Sequence, residues 1–165
     1  MSIDPNNIAD IKKRLWKAID ERHGTGMLGL MDSRQHFQPM TAFVEEGDGQ
    51  IWFFTRKDTD LAQAVAAGDS MAMFVVQTND LQACLGGRLT ETFDQVRMDK
   101  YWNSVVAAWY PNGKDDANLT MLRLDLEDAE VWISANPVRF AWEIAKANAT
   151  HRAPDAGDKA HVDFH

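Results

Sequence analysis

The chain has 165 residues, 45% of them hydrophobic and 25% charged, which suits one ordinary domain with a continuous core and argues against disorder throughout. Its formal net charge of −8 repels phosphate backbones at long range, so nucleic acid is not an expected partner. The longest apolar run, Met71 to Val76, is far too short for a membrane-spanning helix, and no membrane association is expected.

Asp4-Pro5 reads as a helix start, a good cap followed by an undemanding first residue. Ile8, Ile11, Leu15, Ala18 and Ile19 then recur at helical spacing and give one apolar stripe. His23-Gly24-Thr25-Gly26 ends that helix, and the period changes to two. Met27–Met31, Met40–Glu45 and Gln50–Thr55 read as strands, the last two joined through the turn Glu46-Gly47-Asp48-Gly49. Asp58 or Thr59 can cap a short helix that carries Leu61, Ala62 and Val65 and stops at Gly68.

Met71–Gln77 is apolar on both faces, as a strand buried in a barrel or at an interface would be. Ala83–Glu91 is a further strand, with Gly86-Gly87 marking a bulge or a close backbone approach. Thr92-Phe93-Asp94-Gln95 fits a capping box at the head of a helix reaching about Ala108, broken by Trp109-Tyr110-Pro111-Asn112-Gly113. Leu119–Leu126 and Ala129–Ser134 read as two strands, and Asn136-Pro137 opens a final helix through Ala147.

Residues 1–150 are thus expected to form a single domain and 151–165 a C-terminal tail, with Thr150–Lys159 mobile and Ala160–Phe164 able to add an edge strand. Consecutive strands joined by hairpins imply antiparallel pairing, and closing such a sheet removes its edges. The expected fold class is mainly antiparallel β with peripheral helices.

Familiar catalytic patterns do not occur: there is no dinucleotide-binding glycine fingerprint, P-loop or nucleophile elbow. None of His23, His36, His151, His161 and His165 forms a helical metal pair, and no metal is expected. Cys84 stands alone without a basic neighbour, which fits an inert core thiol and excludes an intrachain disulfide. The N-terminus lacks the basic-then-apolar pattern of a secretory signal, so the expected compartment is the reducing cytoplasm.

Three segments carry ligand chemistry as one reading and ordinary packing as the other. Trp52-Phe53-Phe54-Thr55-Arg56-Lys57-Asp58-Thr59 ends an aromatic strand in hydroxyls and cations just ahead of a helix. It would suit a phosphorylated planar ligand, or be a solvated loop with a threonine cap. Phe37-Gln38-Pro39-Met40-Thr41 leads into the neighbouring strand and could frame a flat ring, or be core and strand start. Trp102, Val106 and Trp109 fall at helical spacing as core residues would. Trp109-Tyr110, at the break, could instead cover a ligand or anchor an interface.

In order and spacing these segments resemble the general stress protein branch of the pyridoxamine 5′-phosphate oxidase-like flavoproteins. The match rests on Pro39-Met40-Thr41, Ile51–Thr55, Leu85-Gly86-Gly87-Arg88, Tyr101-Trp102, Trp109–Asp115 and Ala129-Glu130-Val131-Trp132. The resemblance implies an FMN-binding split β-barrel that forms a homodimer with flavin at the interface. It implies a phosphate end at Phe53, Phe54, Thr55, Arg56 and Lys57, and a ring edge at Pro39 and Met40. Trp109 and Tyr110 would come from the other subunit.

Many relatives carry an arginine at the place of Gln38 and a lysine at the place of Leu61; both are absent, which removes positive charge from the phosphate end unless Arg56, Lys57 or Arg88 compensates. The implied cofactor is FMN, with FAD as the alternative, and the implied activity an FMN-dependent oxidoreductase linked to general stress. Pyridoxamine 5′-phosphate oxidation itself is not expected, for want of a second basic cluster. A non-catalytic flavin carrier or sensor, and a barrel dimer that has lost its cofactor, are the rivals. Haem ranks behind both, since the histidines lie in loops and the tail.

Overall fold

The computed structural model describes residues 7–21, 24–68, 70–135, 137–155 and 157–164. The expected helix start at Asp4-Pro5, the turn residue His23, the cap Asn136 and the terminal His165 lie outside them. The described residues form, in chain order, α1 (Ile8–Glu21), β1 (Thr25–Leu30), β2 (Gln38–Thr41), β3 (Phe43–Val44), β4 (Gln50–Arg56), α2 (Asp60–Ala66), β5 (Ser70–Gln77) and β6 (Leu81–Glu91). Then follow α3 (Gln95–Tyr101), α4 (Ser104–Ala108), a 3-10 turn (Gly113–Asp115), β7 (Leu119–Ser134), α5 (Pro137–Thr150) and β8 (Gly157–Asp163).

All pairings are antiparallel, in the order β2-β1-β5-β6-β7-β4-β3, with β8 added on β7. The two ends of this order, β2 and β3, are consecutive pieces of one segment. Residues 38–41 pair with β1, residues 43–44 pair with β4, and Ala42 between them donates its N–H to the Gly24 carbonyl at 2.8 Å. The sheet therefore curls into a half-barrel bridged by a single kinked segment. The single strand expected over Met40–Glu45, paired wholly with Gln50–Thr55, is corrected accordingly.

The inward face is built by period-two alternation. Ile51 and Phe53 from β4, Ala72, Phe74 and Val76 from β5, and Leu81, Ala83, Leu85 and Leu89 from β6 are all buried in one core. On α1, Ile11, Leu15 and Ile19 sit four residues apart and join the same core, while Ile8 stays partly exposed. Asn7 starts this helix, its side-chain oxygen accepting the Asp10 N–H at 3.3 Å.

A second, smaller core lies outside the barrel. Trp52, Leu119 and Met121 on the outward faces of β4 and β7 pack under Met98, Tyr101, Val106 and Tyr110. The single long helix expected from Thr92 to Ala108 is in fact two. Asp94 caps α3 by accepting from the Arg97 N–H at 2.9 Å, and Asn103 caps α4 by accepting from Val106 at 2.9 Å. Asn103, in extended conformation, offers its own oxygen to the backbone and so ends one helix and begins the next.

β7 is continuous over 16 residues rather than two strands. β4 and β8 lie end to end along one of its edges, and β6 takes the other. The register shifts at Gly86/Gly87, with Glu127 left over on β7. A Cβ on Gly87 would stand 2.1 Å from the Asp125 carbonyl oxygen, so glycine is required there. The stretch expected to be mobile is partly regular: α5 runs to Thr150, Arg139 pairs with Asp155 at 2.7 Å, and β8 buries Ala160 and Val162 against the barrel. Beyond the end of β4 the edge of β7 would otherwise present unpaired backbone groups, and β8 supplies their partners. Among the described residues no helix is long and apolar enough to cross a membrane.

Candidate functional site

Where the kinked segment passes the end of β4, the walls of a cavity of about 710 Å3 meet, a size typical of small-molecule sites. Pro39, Met40 and Thr41 of β2 form one side, with Phe43 and Val44 just beyond the kink. Phe54, Thr55 and Arg56 at the end of β4 form another, and Tyr101, Asn103, Val106, Trp109 and Tyr110 close the third. The lining is chiefly aromatic and apolar, with threonine hydroxyls, the Arg56 guanidinium and the Asp20 carboxylate among its polar groups, a composition suited to a flat ring bearing a polar tail.

The aromatic wall is held by ring contacts. Phe54 meets Phe43 edge-on at 5.4 Å and Trp102 at 6.0 Å, and Trp102 reaches Tyr110 at 6.1 Å. Phe43 stacks on Tyr101 at 5.1 Å. The Tyr101 hydroxyl donates to Glu45 at 2.9 Å and accepts from Arg97 at 3.1 Å. Arg97 in turn pairs with Asp48 and lies 4.9 Å from the Trp52 ring centre. This network ties the β3–β4 turn to α3 and fixes the wall. Burial first, and the Glu45 carboxylate second, push the Tyr101 phenol up to about 12; burial likewise takes Tyr110 to about 12. Both are neutral donors at ordinary pH.

At the polar end, Arg56 forms a side-on pair with Asp58, Nε to Oδ1 at 3.0 Å and Nη2 to Oδ2 at 2.8 Å. Hydrogen bonding from Arg56, then from Asn118, holds the Asp58 carboxyl down at about 2. Thr59 is a helix cap: its hydroxyl donates to the Arg56 carbonyl at 3.0 Å and accepts from the Ala62 N–H at 3.2 Å. The Lys57 N–H is taken by the Asn118 carbonyl at 2.8 Å. The backbone donors of this turn are thus largely committed, and the short α2 is not an anion trap; the charge there resides in side chains.

The residues expected to form a site divide clearly. Pro39, Met40, Phe54, Thr55, Arg56, Trp109 and Tyr110 line this cavity together. Gln38, Phe53, Lys57 and Leu61 do not. Phe53 points into the barrel, wholly buried, with its ring 5.2 Å from that of Phe74. Leu61 is buried in the same core. Gln38 donates to the Met40 sulfur at 3.4 Å, and Lys57 is exposed.

Trp109, 72% exposed, and buried Tyr110 reach the cavity from their own chain because α3 and α4 fold back over β4. Phe43, Asn103 and Thr25 also line the cavity without having been expected there, and Tyr101, which the sequence marks only as part of the family resemblance, lines it too. Phe43 could have been found by its alternation with Met40 only if the kink at Ala42 had been known.

Elsewhere, Cys84 is half-buried, donates to the Met73 sulfur at 3.5 Å, and has its thiol pushed up by burial, as suits an unreactive side chain. His36 and His151 lie exposed in loops and His161 exposed on β8. Among the described residues no group of three or more His, Cys, Asp or Glu side chains is placed to hold a metal ion.

The family model for proteins described as pyridoxamine 5′-phosphate oxidase like matches residues 10–155. A candidate general stress protein 26 from Jannaschia sp. CCS1 superposes with a TM-score of 0.78 at 35% identity, covering 96% of this chain and 100% of that one. The general stress FMN/FAD binding protein from Xanthomonas citri gives a TM-score of 0.66 at 39% identity, over 75% of this chain and 89% of its own. A pyridoxamine 5′-phosphate oxidase-related, FMN binding protein from Nostoc punctiforme PCC 73102, at 14% identity and a TM-score of 0.52, covers 80% of this chain and 85% of its own and shares the fold. Comparison with curated proteins gave no match. Model, fold and relatives agree: the chain belongs to the pyridoxamine 5′-phosphate oxidase-like family and is similar to its general stress proteins.

Proposed function

We propose that this protein binds a flavin, FMN in the first instance, in the cavity between β2, β4 and α4, and works as an oxidoreductase linked to general stress. The observation that carries the proposal is the convergence of Phe43, Phe54, Trp109 and Tyr110 on a cavity that ends at Arg56. The aromatic walls offer faces and edges for a tricyclic ring, and Arg56 offers donors for an anionic tail. The similarity to the Xanthomonas citri FMN/FAD binding protein supports the same ligand class, with FAD as the alternative form.

Bound flavin would supply the electron and hydride chemistry. The chain's own residues would orient the ring between Met40 and the aromatic wall, exclude water from it, and offer the Tyr110 hydroxyl, kept protonated by burial, as a hydrogen-bond donor, the Tyr101 proton being held by Glu45. With Cys84 as its single cysteine the chain suits a reducing compartment, and the proposal places it in the cytoplasm.

The proposal includes a homodimer. On the outward face of the sheet, Met27 opposes Val75, which opposes Cys84, and Met71 and Met73 flank them on the same side of β5. Met27 and Val75 are 40% and 37% exposed. Such an apolar patch on a sheet face favours a second copy related by a two-fold axis.

The test is a titration of the purified protein with FMN and FAD, followed by flavin fluorescence, and then exposure of the complex to reduced nicotinamides. Saturation near one flavin per chain, with bleaching on reduction, is expected. A saturable flavin that no reductant bleaches would make the protein a carrier, and no binding of either flavin would refute the site. Sedimentation of the protein and of its Met73→Lys variant tests the dimer: the variant should be monomeric where the parent is not.

A further inference from the structure

Given the flavin site proposed above, on which this rests, we infer that Asp58 is a specificity-determining residue. It limits how strongly the cavity distinguishes a flavin that carries phosphate from one that does not. Arg56 lines the cavity and Asp58 does not. The carboxylate holds the guanidinium through two contacts, Nε–Oδ1 at 3.0 Å and Nη2–Oδ2 at 2.8 Å.

Two of the five guanidinium donors are thereby taken, and three N–H groups remain for a ligand. The charge is matched as well. Residues 56–60 read Arg-Lys-Asp-Thr-Asp, two cations and two carboxylates within one turn. A phosphate monoester of about −1.5 to −2 arriving at the free edge of Arg56 meets a cation already neutralised and a carboxylate one guanidinium away. Attraction to Arg56 is then largely offset by repulsion from Asp58, and the affinity comes from the ring walls.

The pair is open to water, with side chains 50% and 55% exposed, so its influence is electrostatic, moderate and screened by salt. A second role is physically distinct: Asp58 could act only as a splint that holds Arg56 toward the ligand. The two roles predict opposite signs. If Asp58 damps the charge, removing its negative charge strengthens binding of the phosphorylated form. If it is a splint, removal weakens it. The neighbouring Asp60 and the further carboxylate of Asp116, whose charge also acts on Arg56, favour damping, because the cations of this turn are balanced before any ligand arrives.

The experiment measures riboflavin and FMN affinities, by fluorescence quenching at low and high ionic strength, for the wild type, Asp58→Asn and Asp58→Glu. In the wild type the two flavins should bind within about tenfold of each other. Asp58→Asn should tighten FMN by about fivefold at low salt, leave riboflavin unchanged, and lose the gain at high salt; Asp58→Glu should keep the wild-type ratio. FMN binding that is unchanged or weaker in Asp58→Asn overturns the inference. So does a wild-type preference for FMN beyond about a hundredfold, which needs no variant to be seen. Failure of the wild type to bind either flavin removes the flavin site itself, a different result from a wrong ratio.

Discussion

Adjacent residues on β4 should separate stability from binding. Phe53 and Phe54 are chemically identical, yet Phe53 is fully buried in the barrel 5.2 Å from the Phe74 ring, while Phe54 faces the cavity between Phe43 and Trp102. Phe53→Ala removes a large side chain from a closed core, where transfer and cavity terms together cost about 3–5 kcal/mol. At roughly 2–4 °C per kcal/mol for a chain of this length, the melting temperature should fall by about 6–20 °C. Phe54 is only partly buried, so Phe54→Ala should cost about 1–2 kcal/mol of stability. It also removes one wall of the cavity, for a loss of about three- to tenfold in FMN affinity. Urea unfolding followed by circular dichroism gives the first quantity, and flavin fluorescence titration of the folded variants gives the second. Equal destabilisation by the two variants, with equal FMN affinity, would refute the assignment of the two faces.

Gly87→Ala should destabilise by about 2 kcal/mol or more, because the new methyl meets the Asp125 backbone, which cannot swing aside as a side chain could; an unchanged unfolding midpoint would count against the bulge geometry. Alkaline titration followed by phenolate absorbance should show neither of the two tyrosines ionising near pH 10, since both are raised to about 12. Their neutral forms stabilise the fold fully below the unfolded value of about 10, and that stability is lost as pH rises from there toward 12; a phenol ionising near 10 would contradict it. His161, raised chiefly by its hydrogen bond with Glu130 and then by the Asp163 charge, should titrate above 6.5 by NMR. Its contribution to docking β8 is present below 6.5 and disappears as pH rises through the folded midpoint, so a midpoint at or under 6.5 would dispose of it.

What was legible in the sequence was local. The turn at Glu46–Gly49 and the Gly86-Gly87 irregularity follow from backbone demands that few residues meet, and the structure has both, with Gly47 and Gly49 at positive φ. Met71–Gln77 is apolar on both faces in sequence, and only the structure separates Ala72, Phe74 and Val76, which are buried, from Met73 and Val75, which are not. What was missed depended on partners distant in sequence. Nothing near Ala42 marks it as the point where one segment leaves β1 for β4, since the kink is stabilised by Gly24. Asn103 could have been read as a cap, but the apolar spacing of Trp102, Val106 and Trp109 favoured one unbroken helix. Phe53 and Phe54 were grouped as site residues because composition does not say which face of a strand is the pocket; the pairing of β4 with β7 does. The cavity residues on β4 and around Trp109 were visible as a cluster of unusual side chains. Their union in one chain was not, because it rests on the second core beneath α3 and α4.

The long β7 has a consequence for how the protein is made. It pairs with β4, β6 and β8, and Phe54 lies opposite Met121. On the ribosome, β4 emerges long before the strand that will cover its edge. Until residues 119–125 clear the exit tunnel, the Trp52-Phe53-Phe54 stretch is an apolar ribbon with one unpaired edge, and such long-range closure is intrinsically slow. Translation speed through α3, α4 and the turn that follows, or a chaperone that holds the nascent ribbon, therefore bears on the yield of folded protein separately from the stability of the finished barrel.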